Sequence, residues 1–86
     1  MEIFYHSKFI KIFKKLNKEL QLLILERENI FKINIYDLRL KTHKLHGHFI
    51  GYLSFSINYK YRVIFNFEEN GKDVKFYIIG THDIYE

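Results

Sequence analysis

Residues 49–67 read Phe49-Ile50-Gly51-Tyr52-Leu53-Ser54-Phe55-Ser56-Ile57-Asn58-Tyr59-Lys60-Tyr61-Arg62-Val63-Ile64-Phe65-Asn66-Phe67. Phe49, Leu53, Phe55 and Ile57 alternate with Tyr52, Ser54, Ser56 and Asn58, which is the pattern of a strand with one buried face. After a tight turn at Asn58-Tyr59-Lys60 the period of two resumes. Tyr61, Val63, Phe65 and Phe67 point one way, and Arg62, Ile64 and Asn66 the other. The next segment, Glu68-Glu69-Asn70-Gly71-Lys72-Asp73, contains Asn-Gly, a strong hairpin signal, and Val74 to Ile79 supply a third strand. A meander of three antiparallel strands is expected.

Upstream of the meander the period is helical. Phe9, Phe13, Leu16, Leu20 and Leu23 follow i, i+4, i+7, i+11 and i+14, the stripe of a helix lying on a core. Lys8, Lys11, Lys15 and Lys18 occupy the opposite side. Ser7 is a candidate N-cap. The helical pattern runs to about Phe31, with a possible break near Asn17 into a helical hairpin. Residues 2–5 suit a short first strand. The expected fold is α+β: an N-terminal strand and a helical hairpin packed on one face of a mainly antiparallel four-stranded sheet. On the face away from the helices, alternation places Ser54, Ser56, Arg62 and Ile64, and that face is expected to be open.

Eighty-six residues suffice for one domain, taken as 1–86. The chain is 48% hydrophobic and 19% aromatic, enough for a core. It has no cysteine, which excludes disulfides and thiolate metal sites. No apolar stretch approaches the roughly 20 residues a membrane helix needs. Lysines interrupt the apolar positions near the N-terminus, unlike a signal peptide, so the cytoplasm is the expected compartment. The net charge is +4 and uneven. Residues 1–48 carry ten Lys/Arg against five Asp/Glu, or +5, while residues 49–86 carry four against five, or −1. A basic half on a small domain points to a polyanion or an acidic protein partner. The plainer reading of Lys8 to Lys18 is a solvated helix face.

The polar residues with chemistry to offer are few. Periodicity is lost from Lys32 to His48, where a basic connector, Asp37 to Gly47, leads to the sheet, and this stretch holds Lys41, His43, Lys44, His46 and His48; Arg62 lies in a strand, and the chain ends Gly80-Thr81-His82-Asp83-Ile84-Tyr85-Glu86. A permanent cation, imidazoles that titrate near neutral pH and a phenol are what cleavage of a phosphodiester without a metal requires. His43, His46 and His48 have a suggestive metal spacing, but no carboxylate or cysteine is interleaved, so no metal and no cofactor is expected.

Four segments together resemble the RelE/ParE superfamily of bacterial toxins, nearer its RelE and YafQ ribonuclease branch. They are Arg39-Leu40-Lys41-Thr42-His43-Lys44-Leu45-His46-Gly47, Gly51-Tyr52, Tyr61-Arg62-Val63-Ile64-Phe65 and Gly80-Thr81-His82-Asp83-Ile84-Tyr85. The resemblance implies the toxin of a type II toxin–antitoxin system: an mRNA endoribonuclease (mRNA interferase) associated with the ribosome, leaving 2′,3′-cyclic phosphate ends and blocked by an antitoxin. It places His43 where YafQ-like members have a catalytic histidine and Arg62 where RelE-like members bind phosphate. His82 stands where relatives have a histidine or arginine, and Tyr85 resembles their functional C-terminal aromatic. Lys41, Lys44, His46, His48 and Lys60 become candidate RNA contacts. Ser56 stands where YafQ-like toxins have a second histidine, and Lys60 where they have an aspartate. The same superfamily contains gyrase inhibitors of the ParE type, so that activity is the alternative, as is an inactive remnant that only binds an antitoxin. The plain alternatives at the site are an Arg62 paired with Glu68 or Asp83, a loop His82 bonded to backbone, and a Tyr85 that plugs the sheet end.

Overall fold

A computed structural model describes residues 1–81. Strand β1 (Ile3–Tyr5) leads into helix α1 (Ser7–Lys15) and helix α2 (Lys18–Ile33), and strands β2 (His43–Lys44), β3 (Leu53–Ser56), β4 (Tyr61–Phe67) and β5 (Val74–Thr81) follow. The sheet order is β1-β5-β4-β3-β2. β1 is parallel to β5, and every other pairing is antiparallel. The sheet therefore has five strands rather than the four expected. The additional one is the two-residue β2, inside a connector that shows no periodicity.

The helical stripe divides where a cap interrupts it. Leu16 and Asn17 are extended, and the Asn17 side chain accepts a hydrogen bond from the Leu20 amide at 2.9 Å, opening α2. At the start of α1 the cap is His6 rather than Ser7: its Nδ1 accepts from the Lys8 amide at 3.1 Å, and Ser7 is the first helical residue. An imidazole nitrogen serves here because the orphan amide needs only a lone pair in reach. Phe9, Leu20, Ile24, Ile30 and Phe31 bury themselves against Leu53, Phe55, Val63, Phe65, Phe76 and Ile79. Phe31 is fully buried, with ring centroids 5.0 Å from Phe55 and Phe65 and 5.2 Å from Phe76.

A buried carboxyl group is held within this layer. Glu28 of α2 is 7% exposed and accepts a short hydrogen bond from the Tyr5 hydroxyl of β1. Burial first, then the adjoining carboxylate, pushes the Tyr5 hydroxyl well above its usual titration range. Arg27 Nε donates to the Ile57 carbonyl at 3.1 Å, tying α2 to the end of β3.

Two further expectations fail for local reasons. The strand expected from Phe49 begins at Leu53, because Gly47 (φ 65°) and Gly51 (φ 91°) bracket a 3-10 turn at Gly47–Phe49. The sheet face away from the helices is not open at its centre, since Ser54 and Ile64 are both 0% exposed and Ser56 is buried. Leu45 is buried as well, yet neither it nor Ile64 belongs to the helix-covered cluster. The Leu45 amide bonds the Tyr52 carbonyl at 2.9 Å, so the connector runs on beside β3 instead of leaving the sheet. The second face thus has a small apolar centre of its own.

Candidate functional site

The register of β2, β3, β4 and β5 fixes which side chains share the second face. His43 pairs with Ser54, Ser54 with Ile64, and Ile64 with Ile78, forming one row across four strands. The next row is Ser56, Arg62 and Gly80. Directly opposed residues project to the same side, so His43 and Arg62 share a face, two strands apart and one row offset. Strand spacing of about 4.8 Å and a rise of about 3.3 Å per residue put their Cα atoms roughly 12 Å apart. Two long side chains can close on one phosphate from that separation.

His43 is exposed at the sheet edge. Its Nδ1 lies 3.0 Å from the Lys41 carbonyl oxygen. A carbonyl only accepts, so in the neutral ring Nδ1 carries the proton and Nε2 keeps its lone pair. Lys41 can offer that carbonyl because it closes the 3-10 turn Leu38–Leu40 in the left-handed conformation, φ 52°. Asp37 opens the same turn: its carboxylate accepts from the Arg39 amide at 2.9 Å and from the Arg39 guanidinium at 2.9 and 3.0 Å. The hydrogen bonds from the Arg39 side chain, then from its amide, bring the Asp37 carboxyl down to about 2.

Arg62 is half-buried, and its Nη1 donates to the carbonyls of Asn58 at 2.6 Å and Tyr61 at 3.2 Å. These bonds fold the side chain over the 58–61 turn. Among the described residues Nε and Nη2 carry no hydrogen bond and no carboxylate pairs with Arg62. Glu68, the partner a plain surface arginine would take, lies instead 3.9 Å from Lys75. Among the described residues, that leaves the guanidinium a donor edge for an anion.

The other candidates divide. Lys41, Lys44, His46 and His48 are all exposed around the connector. Lys44 pairs with Leu53 and so alternates to the opposite side from His43. Lys60 lies over a neighbouring ring: its Nζ is 5.4 Å from the Tyr61 ring centroid, and it borders a concavity of about 560 Å³ between α2 and the 58–61 turn. His82 and Tyr85 lie outside the described residues. No group of three or more His, Cys, Asp or Glu residues is placed to hold a metal among the described residues. None of their helices is long and apolar enough to cross a membrane.

A set of residues absent from the sequence-based candidates also lies on the second face: Tyr52, Tyr77, His6 and Phe49, whose rings make a continuous series. Tyr52 was legible as a neighbour of Ser54 by alternation. Tyr77 was not, because its direction depends on a bulge.

No protein-family model matches the chain, and no curated protein matches it in sequence. Solved structures do match in shape. A YoeB/ParE toxin from Agrobacterium tumefaciens superposes with a TM-score of 0.79 at 15% identity, covering 95% of this chain and 99% of that one. The archaeal RelE–RelB complex from Pyrococcus horikoshii OT3 gives 0.76 at 20% identity, covering 96% of each. YafQ from E. coli gives 0.73 at 22% identity, covering 94% and 92%. The chain therefore has the fold of the RelE, YafQ and YoeB toxins.

Proposed function

We propose that this chain is the toxin of a type II toxin–antitoxin system and acts as a metal-independent mRNA endoribonuclease on the ribosome. The observation that carries this reading is the Nδ1 contact of His43 with the Lys41 carbonyl, which leaves Nε2 as an acceptor on the face that also carries Arg62. His43 Nε2 takes the proton of a ribose 2′-hydroxyl, and the hydroxyl oxygen attacks the adjacent phosphorus. The Arg62 guanidinium holds the non-bridging oxygens as charge develops. His82 follows Thr81, whose strand pairs with that of Arg62, and it donates a proton to the departing 5′-oxygen, with Tyr85 as a further contact to the RNA. The products are a 2′,3′-cyclic phosphate and a free 5′-hydroxyl. Each proton transfer contributes roughly 10²–10⁴-fold. Lys41, His46 and His48 attract the RNA backbone around this centre, and Lys44 adds to the positive field from the other side of the same edge.

The partner is a cognate antitoxin, as in the RelE–RelB complex whose toxin shares the fold. The basic half of the chain favours an acidic amphipathic segment lying over Lys41 to His48 and the Arg62 face.

The test is single-turnover cleavage of RNA on translating ribosomes across about pH 5 to 9, with the ends mapped. Wild type gives cyclic phosphate ends and a bell-shaped profile; His43→Gln loses the limb set by the base, and His82→Gln the limb set by the acid. A flat profile, or breaks appearing in gyrase-bound DNA instead of RNA, would sink the nuclease reading.

A further inference from the structure

The row of rings beside the candidate centre has no part in proton transfer or phosphate binding, nor in the helix-covered core. His6 meets Tyr77 edge-on at 5.0 Å between centroids. Tyr77 lies 5.5 Å from Tyr52 with the planes 34° apart, and Tyr52 meets Phe49 edge-on at 6.1 Å. These rings come from three places in the chain: the β1–α1 junction, β5 and the turn before β3. All four are half-buried, so each leaves part of its surface in solvent.

A device in the sheet creates the row. Ile64 pairs with Ile78 but Phe65 pairs with Phe76, so Tyr77 is an extra residue in β5. Strict alternation would put Tyr77 on the helix side with Ile79; the bulge turns it to the second face while Phe76 stays in the core. A cation is fixed beside it. Lys8 Nζ bonds the Tyr77 hydroxyl at 3.2 Å and lies 5.3 Å from the ring centroid.

Tyr52 precedes Ser54 by two residues, and Ser54 stands in the row of His43 and Ile64. The aromatic row is therefore about 7 Å along the strands from the His43 row and about 13 Å from the Arg62 row. An RNA strand whose phosphate sits between His43 and Arg62 has flanking nucleotides within reach of the rings.

We propose that His6, Phe49, Tyr52 and Tyr77, with Lys8, form a stacking platform for bases of single-stranded RNA next to the scissile phosphate. The proposal rests on the nuclease reading for its substrate. Aromatic faces interleaved with cations are what sequence-tolerant binding of single strands uses, because every base has a π-face and every nucleotide a phosphate. A purely apolar docking surface for protein has no need of a lysine held over a tyrosine.

The probe is a short fluorescein-labelled single-stranded RNA with methylated 2′-hydroxyls, which cannot be cleaved, titrated with the full chain and followed by anisotropy. Tyr77→Leu and Tyr52→Leu keep apolar cover on the sheet but lose the π-face, and each is expected to weaken binding about 5- to 140-fold. Tyr52→Phe and Tyr77→Phe keep the π-face and should lose far less affinity than the Leu variants, Tyr77→Phe losing in addition the hydroxyl that holds Lys8. Abasic sites scanned along the probe should cost wild type affinity at one or two positions and cost Tyr77→Leu nothing further there. Circular dichroism and thermal melts confirm that the Leu variants are folded; if either is not, Tyr77→Met or Tyr52→Met takes its place. Folded variants that bind RNA like wild type, or abasic penalties equal in both proteins, overturn the proposal. So does loss of binding to an acidic peptide with RNA binding intact, which would make the row a protein-docking surface. Because the probe is uncleavable, weaker binding by the Leu variants upholds the platform even if wild type leaves RNA uncut on the ribosome and the nuclease reading falls.

Discussion

Replacing Arg62 by alanine separates a structural duty from a chemical one, because the structure gives the side chain both. Its Nη1 bonds the carbonyls of Asn58 and Tyr61. Hydrogen bonds from charged groups are worth about 1.5–3 kcal/mol each when well formed. The same turn is also held by the Asn58 side chain, which accepts from the amides of Lys60 at 2.9 Å and Tyr61 at 2.8 Å. Arg62 is half-exposed, so water replaces part of what is lost. Together these put the stability cost at about 1–2 kcal/mol. A domain of this length has roughly 4–13 kcal/mol in hand, so Arg62→Ala stays folded, with a melting temperature lower by about 4–16 °C. Cleavage suffers more: removing a donor aimed at developing negative charge costs about 10²–10³-fold. Arg62→Lys restores the charge without the fork and recovers only part of the rate. The assay is single-turnover RNA cleavage at a temperature where both variants are fully folded by circular dichroism. A cleavage rate equal to wild type in folded Arg62→Ala would remove Arg62 from the site and leave it as a turn latch.

Tyr5→Phe removes the hydroxyl that donates to buried Glu28 and should cost about 1–3 kcal/mol at neutral pH, read by urea unfolding. The folded state holds the Tyr5 proton above the usual value of 10.0. The wild-type advantage is therefore full below about pH 10 and shrinks as pH rises beyond it, because the unfolded chain releases that proton first; a gap between wild type and variant that widens above pH 10 would contradict this. Lys41→Glu/Lys44→Glu should slow association with the cognate antitoxin and flatten its salt dependence, measured by stopped flow between low and high salt. Rates insensitive to both changes would place the inhibitory contact elsewhere.

The parts of the fold that could be read in advance are those where one side chain decides one direction. Tyr61, Val63, Phe65 and Phe67 alternate over a full strand, and the structure buries Val63 and Phe65 under the helices with Tyr61 and Phe67 packed at the margin. Asn17 is a residue that competes with the backbone for hydrogen bonds, and it ends one helix and caps the next. Where direction depends on a partner strand, the sequence is mute. His43–Lys44 is too short to show a period and becomes a strand only because β3 is beside it. In β5 strict alternation would set Phe76 and Ile78 on one face, whereas the core takes Phe76 and Ile79. The bulge that shifts the phase is a property of the β4–β5 register. The candidate site divides the same way. Arg62 and His43 were readable as residue types, but the row offset between them, the tautomer of His43 and the turn that occupies Nη1 of Arg62 belong to the assembled sheet.

The unexpected burial of the second face bears on how so small a site could act on phosphate. Ser54 and Ile64 stand between His43 and Arg62, and both are 0% exposed. Neither residue exposes an atom to water, so the floor between the two candidate groups is poorly hydrated. A charge–charge interaction over such a floor is screened less than one over open water, and a guanidinium there stabilises developing phosphate charge more strongly. That floor exists because β2 extends the sheet and Leu45 continues beside β3; without them His43 would lie on a solvated loop with no fixed relation to Arg62. The segment that brings His43 to the sheet therefore also buries the floor between it and Arg62.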